Sequence, residues 1–376
     1  MPTIACVPLI SPSPGTTRHV TVRRYGRAGA RPKIYLQAAL HANELPGILV
    51  LHHLVRRLDE AEAEGAIKGE IVVVPTANPI GLGQNINGKQ VGRFELAGAG
   101  NFNRGFPRLA DAAAKKLGNR LGDQAEANVA AVRGALLGAV ADLEARTEMD
   151  SLRKALLSHS VDADVVLDLH SHGEAVLYLY MPEAFWPGSS DLPAQLGCRR
   201  VLTWSRDDGH SFARANGAPW LALAKTFPDR PIPPSCLGIT LELRGHNQAD
   251  DTLSGNDALN LFRFMQRRGV VAGDPGPLPA LAGAAAPADG LDHLRAPIGG
   301  TTVFRKALGD EVAEGEVVAE IVDPVADDPA RARVPVKART RGMFFGRDMD
   351  LLVRPGDAFA SVSGPEPLPE PEPSTD

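Results

Sequence analysis

RPKIYLQAALHANELPGILVLHHLVRRLDEAEAEG, residues 31–65, holds an apolar run, a short polar step and a longer segment with helical spacing. Residues 31–40 read as a strand buried in a sheet. From 45 to 65 the apolar residues recur at helical intervals. Pro46 suits a first turn, where its missing N–H has no partner to lose, and Gly65 supplies a stop. GEIVVVPTANP, residues 69–79, is a second apolar run, closed by a turn at Asn78-Pro79. Strand, helix, strand makes a βαβ-like unit and predicts an α/β fold, with His41 and Glu44 in the loop at the end of its first strand.

Working outward, residues 108–160 are rich in Ala, Leu, Arg and Glu and predict long amphipathic helices. ADVVLDLHSHGE (163–174) and LGITLELRG (237–245) return to strand, and a helix around 254–268 closes the first domain. Composition then shifts. VVAGDPGPLPALAGAAAPADG (270–290) is Gly/Pro/Ala-rich, and 291–363 holds short β-type runs between turns such as LGDEV and VRPGD. The expected organisation is a catalytic domain over 1–272 with a helical insertion at about 108–160, a linker over 273–290, a small β-barrel-like domain over 291–363 and a disordered Pro/Glu-rich tail over 364–376. Lys337 falls within a strand-like run, VPVKART, which argues against a swinging carrier arm.

Composition narrows the function classes. The 376 residues are 44% apolar and 23% charged, the balance of a globular protein with a large core. A net charge of −5 offers no basic face for nucleic acid. Cys6, Cys198 and Cys236 are far apart and form no CxxC, which excludes a disulfide framework and a thiolate metal site. The first twenty residues lack a basic-then-apolar leader, and no run of about 18 apolar residues exists to span a bilayer. The expectation is a cytoplasmic protein without membrane or nucleic-acid partners, with homo-oligomerisation left open.

Four motifs carry chemistry. His41 and Glu44, three residues apart at the start of a helix, can offer two ligands to one cation, although a loop histidine and a first-turn acid serve as well. His170 ends the apolar strand VVLDLHSH, where open α/β sheets place their ligands, and Asp168 two residues earlier can orient its imidazole. GNFNRGFP (100–107) sets Asn103 and Arg104 in glycine-flexible backbone, suited to gripping a carboxylate, with Arg93 as a second cation or a solvated arginine. Glu242 interrupts the apolar strand GITLELRG; it either pairs with Arg244 or works as a general base. Among the other histidines, His52 and His53 lie in the helix, His172 is the rival ligand, and His210 and His246 occupy polar loops.

HxxE, then Asn-Arg, then a DLH strand, then a glutamate in a TxE strand resembles the zinc carboxypeptidase clan, and within it the succinylglutamate desuccinylase/aspartoacylase family, over roughly residues 30–270. The resemblance implies a mixed central sheet with helices on both faces, plus a small C-terminal all-β domain. It implies one Zn2+ ion held by His41, Glu44 and His170, with Glu242 as general base and acid. Arg104 with Asn103 would hold a substrate carboxylate, and Arg93 would polarise the scissile carbonyl. The implied activity is hydrolysis of the amide of a small N-acylated amino acid, with a zinc carboxypeptidase acting on short peptides as the alternative. Ala42-Asn43, Gly105 and the long 108–160 insertion depart from the family pattern and bear on substrate more than on chemistry.

Overall fold

The computed structural model describes residues 1–98, 100–205 and 211–369. Strands β1 (Thr3–Pro8) and β2 (His19–Gly26) pair antiparallel. β3 (Lys33–Ala38) follows and is buried at every position. Its residues alternate between two cores: Ile34, Leu36 and Ala38 join one, and Tyr35 joins the other on the opposite face of the sheet. α1 (Pro46–Ala63) begins with proline and packs Val50, Leu51, Leu54 and Leu58 onto the Ile34 side, and β4 (Glu70–Val74) returns parallel to β3.

The Asn78 side chain caps α2 (Pro79–Leu82), accepting from the Gly81 N–H. Two short hairpins come next: β5 (Asn85–Ile86) with β6 (Lys89–Gln90), then β7 (Phe94–Glu95) with β8 (Gly100–Asn101). The stretch expected to be helical holds α3 (Ala110–Leu117), α4 (Ala125–Ala141) and α5 (Glu148–Ser160), the last opened by a reciprocal cap between Thr147 and Asp150. β9 (Val165–His172), β10 (Glu174–Ala175), β11 (Leu177–Pro182), α6 (Asp191–Leu196) and β12 (Arg200–Trp204) follow. α7 (Phe212–Thr226), β13 (Leu237–Gly245), α8 (Asp251–Arg267) and β14 (Ala285–Pro287) complete this part.

Nine strands form one sheet in the order β1-β2-β4-β3-β9-β13-β11-β12-β14. It is mixed, with β4, β3, β9 and β13 mutually parallel and β11 antiparallel to β13. α1, α6 and α8 supply Leu51, Leu192 and Leu261 to the core on one face. α3, α4, α5 and α7 supply Leu117, Leu136, Leu156 and Trp220 to the other. From β3 the chain passes to β4 on one side; from β9 it passes to the strands on the other. Neighbouring parallel strands whose connections diverge leave a crevice at their carboxyl ends, and His41 and His170 stand at that crevice.

The linker expected over 273–290 is not free of the sheet, because β14 within it pairs in parallel with β12. A three-residue Ala-Ala-Pro strand is too short for alternation to reveal it. Beyond it run β15 (Leu291–Arg295), β16 (Gly300–Phe304), β17 (Glu311–Val312), β18 (Val317–Val322), β19 (Arg333–Lys337), β20 (Gly342–Arg347), β21 (Leu352–Val353) and β22 (Ala358–Ser363). They make a sheet in the order β10-β20-β22-β15, with β17 beside β20, and a second in the order β19-β18-β16-β21, around Val318, Ile321, Phe344, Phe359 and Val362. β10 lies just after His172, so the C-terminal strands are tied directly to the end of β9. Gly173 permits that approach: a Cβ there would stand 2.8 Å from the Arg347 carbonyl oxygen. The tail expected to be disordered runs back along this region, with Gly364 and Leu368 N–H donating to the Gly290 and Asp289 carbonyls. Residues 370–376 lie outside the described residues. No helix among the described residues is long and apolar enough to cross a membrane.

Candidate metal centre and active site

β3 ends in a residue of unusual conformation. Ala39 has φ 57°, in the left-handed region that L-residues seldom occupy. Among the described residues only Ala39, Asn87 and Arg244 are non-glycine residues with positive φ, and two of these flank the crevice. Backbone held this way commonly marks functional sites. After Ala39 the chain makes a tight turn: the Glu44 N–H donates to the His41 carbonyl (3.0 Å) and the Ala42 N–H to the Gly92 carbonyl (2.8 Å). A Cβ at Gly92 would lie 2.5 Å from the Ala42 Cβ, so only glycine lets this segment cross the turn and deliver Arg93.

His41, Glu44 and His170 come together, all buried, with one potential ligand atom from each within 4.8 Å of the others. Glu44 is the centre. Its Oε1 lies 2.8 Å from His41 Nδ1 and its Oε2 lies 2.7 Å from His170 Nδ1. Oε2 also accepts the Ser171 N–H (3.0 Å), and Arg93 Nη1 donates to Oε1 (3.0 Å). The outer nitrogens of both imidazoles are held from behind. His41 Nε2 meets Asn101 Oδ1 and His170 Nε2 meets Asp168 Oδ2, each at 2.8 Å. Gln37 donates to the second Asp168 oxygen (2.8 Å) and receives the Tyr35 hydroxyl (2.8 Å), extending the chain of support into β3. Each ring turns Nε2 to an oxygen behind it and Nδ1 to Glu44; without a cation a proton on Nδ1 joins ring and carboxylate, and its loss would free the Nδ1 lone pair for a metal.

This donor set fits a divalent cation. Two imidazole nitrogens and a carboxylate are three of the four positions of a catalytic zinc site. Donors about 2.0 Å from a tetrahedral ion stand roughly 3.3 Å apart. The two histidine–glutamate pairs here are at hydrogen-bond distance, so an entering ion would spread those two contacts slightly. Charge tells the same story. Burial opposes a proton on His170, yet Asp168 and Glu44 outweigh it and hold that imidazole well above its usual range. Burial likewise opposes charge on Glu44, but His170 and His41 keep it well below the usual carboxylate range. A proton on His170 occupies the role a cation would take.

Glu242 sits on β13 as the register partner of His170. Its Oε2 is buried without a hydrogen-bond partner, and its pKa is pushed up to about 8, first by burial and then by the Glu44 charge, with His170 and Arg93 partly offsetting. The alternative role for Glu242, pairing with Arg244, is ruled out: the Arg244 guanidinium binds Asp257 instead.

The centre opens into a cavity of about 1210 Å³ that Arg93, Asn103, Arg104, His172, Tyr178, Tyr180, His246 and Glu242 help to line. Asn103 is buried, with its Oδ1 accepting the Phe212 N–H (2.8 Å) and its Nδ2 3.0 Å from His170 Nε2, so both ends of its amide already face protein groups. Arg104 is exposed to the cavity, donates to the Asn103 carbonyl and has no carboxylate partner among the described residues. His172, the rival ligand, lines the cavity but does not converge with the other three, and burial together with His246 lowers its pKa to about 4. His246 Nε2 faces the Ser171 carbonyl (2.9 Å). His53 pairs with Asp251 on the far side of α1, and His210 lies outside the described residues. Sequence reasoning missed Asn101, Gln37 and the tyrosines. Asn101 stands in GNFN beside the residues chosen there, and Tyr178 and Tyr180 show the period-2 spacing of one sheet face.

Residues 30–133 match the model of the succinylglutamate desuccinylase/aspartoacylase catalytic domain. His170 and Glu242 lie beyond that match. No curated protein matches the chain. Among solved structures, a protein provisionally described as a succinylglutamate desuccinylase/aspartoacylase, from Shewanella frigidimarina NCIMB 400, superposes with TM-score 0.84 at 21% identity, over 96% of this chain and 97% of that one. A family protein from Shewanella amazonensis SB2B gives TM-score 0.82 at 22% identity, over 96% and 98%. The product-bound ectoine utilization protein EutE (DoeB) from Ruegeria pomeroyi gives 0.66 at 18%, over 97% and 95%. The resemblance to this family is therefore borne out: residues 30–133, with the HxxE and Asn-Arg motifs, match the succinylglutamate desuccinylase/aspartoacylase catalytic-domain model, and the chain shares its fold with structures described under that family name.

Proposed function

We propose that the protein is a metal-dependent amide hydrolase that removes the acyl group from an N-acylated amino acid. One observation carries this reading: a buried His-Glu-His cluster with both Nδ1 atoms turned inward lies beside a buried glutamate whose Oε2 has no partner. His41, Glu44 and His170 would hold one zinc ion, which supplies Lewis-acid polarisation and makes water acidic enough to be deprotonated near neutral pH.

The chain's own residues do the rest. Glu242 Oε2 accepts the proton of the attacking water and passes it to the departing amine nitrogen, the same carboxylate serving as base and then acid. Its elevated pKa suits the second task, and the field of a bound cation would favour the ionised form needed for the first. Arg93, which donates to Glu44 Oε1 and lines the cavity, would offer its remaining N–H groups to the charge that builds on the carbonyl oxygen. Arg104 offers its fork to the substrate carboxylate. Asn103 positions Arg104 through its carbonyl and helps hold the His170–Asp168 pair. The strands over 291–363 act as a C-terminal β domain that shapes one side of the cavity.

The test is direct. Protein purified without chelator should carry one zinc per chain, and it should release amine from N-acyl amino acids. Cleavage of dipeptides in preference to acyl amino acids would move the assignment to a carboxypeptidase. A metal-free protein that binds no added zinc would end both readings.

A further inference from the structure

The layer covering one face of the sheet has a gap, and the cavity fills it. Asp168, His170, Thr240, Glu242, Tyr178 and Tyr180 share that face through the strand register. The floor therefore runs sideways from the metal cluster on β9, past Glu242 on β13, to Tyr178 on β11 and Trp204 at the end of β12. At roughly 4.8 Å per strand, it extends well beyond the reach of a small acyl group. The two walls differ in kind. One carries Arg104 and the first turn of α7. The other comes from the C-terminal strands and the turn that leads to them: Ala288, Leu291, Phe345 and Ala360, beside a hydrogen-bonded His293–Ser361 pair. Tyr178 and Phe345 meet with ring centroids 5.0 Å apart and share a small apolar cluster with Leu202, Ala286 and Met343. Asp348 and Asp350 on this side are exposed and the Arg214 guanidinium lies over the Trp204 ring (4.9 Å), whereas Tyr178 and Phe345 are buried.

Clefts of about 300–1,000 Å³ enclose most of a drug-sized ligand; at about 1210 Å³ this one exceeds the needs of an acetylated amino acid. We propose that the acyl half of the substrate is bulky and apolar, an aliphatic chain of six or more carbons or an aromatic ring. It lies across the tyrosine floor against Ala288, Leu291 and Phe345 while Arg104 holds the carboxylate at the opposite wall. This rests on the amide-hydrolase reading and adds the substrate class to it. The C-terminal strands then determine specificity rather than decorate the rim.

The zinc-loaded full chain is assayed with one amino acid bearing acetyl, butanoyl, hexanoyl and benzoyl groups. Each buried methylene favours binding about threefold to fourfold, so kcat/KM for hexanoyl should exceed that for acetyl at least tenfold. Leu291→Asp and Ala288→Trp, which make the wall polar and fill it, should each bring the hexanoyl-to-acetyl ratio toward one. A flat or falling series in the unmodified protein, or a ratio unchanged in both variants, overturns the proposal. Hydrolysis of no acyl amino acid would instead count against the hydrolase reading. Calorimetric titration with hexanoate and acetate then decides the apolar wall: tighter hexanoate binding that Leu291→Asp removes sustains it, and equal binding of the two acids overturns it.

Discussion

The two ends of β3 and β9 bury charge in opposite ways. At their amino ends, Glu70, Asp162 and Asp164 face Arg24, Arg31, Lys33 and Arg133. Arg31 binds both aspartates, Lys33 binds Asp162, Arg133 binds Asp164, and Arg24 binds Glu70. Each acid there has a permanent cation. At the carboxyl ends, about 20 Å away along the strands, Glu44, Asp168 and Glu242 surround two imidazoles, and Arg93, itself half exposed, is the arginine that reaches them. There Glu242 Oε2, Ser171 Oγ and Asn43 Oδ1 are buried without partners. In the first cluster four cations meet three acids, and burial is tolerated because every acid has an ion-pair partner, although Arg133 Nε there is also buried without a hydrogen-bond partner. The second is short of permanent cations: a proton on His170 stands where a divalent cation would bind. Acidity at a buried site means little alone; the contrast within one pair of strands gives it meaning.

The largest effect should come from Glu242. Glu242→Gln keeps the shape and removes the proton acceptor. Turnover should fall by about 10²- to 10⁴-fold, with one zinc still bound per chain by metal analysis. Near-normal turnover would remove Glu242 from the chemistry. The closed cluster should answer differently. Lys33→Ala leaves Asp162 with less compensation in a buried position, and denaturant unfolding should show a loss of about 3 kcal/mol. Zinc affinity should stay within about twofold of the unmodified protein. A large change in zinc affinity would mean that the two ends are coupled and the comparison fails.

How much of this was legible in the sequence follows from the range of each signal. The βαβ unit over 31–79 declared itself because its strands are buried on both faces and its helix has a proline start. His41 with Glu44, and Asp168 with His170, were legible as pairs three and two residues apart, since such spacings place side chains together through local geometry alone. Glu242 was legible because a carboxylate in an apolar strand calls for an explanation. Asn101 was not, because β8 is two residues long and its pairing with β7 has no periodicity to read. Nor could β14 or the apolar wall be read, because both depend on segments about a hundred residues apart meeting in space. Arg93 was ambiguous for the same reason: only the passage of Gly92 over Ala42 brings it to Glu44.

Asn101 therefore tests whether support behind a ligand matters here. Asn101→Ala should weaken zinc binding by about 10- to 100-fold, the usual cost of losing a group that orients a ligating histidine. Competition with a chelating dye would measure it, and unchanged affinity would show that Glu44 alone orients His41.

The smallest effect, and the one that tests the charge argument most closely, is on pH. Without a cation, His170 is held well above its usual range by Asp168 and Glu44 and so carries a proton at neutral pH. Nδ1 must lose that proton before it can act as a ligand. Each cation bound then displaces one proton, and zinc affinity should rise about tenfold per pH unit between roughly pH 6 and 8. The sign is fixed, since a group protonated in the free protein and deprotonated in the complex favours binding as pH rises. A slope near two would mean that Glu242, with its pKa of about 8, gives up its proton as well. A flat profile would mean that His170 is already neutral without metal, so that Asp168 and Glu44 do not hold a proton there in place of a cation.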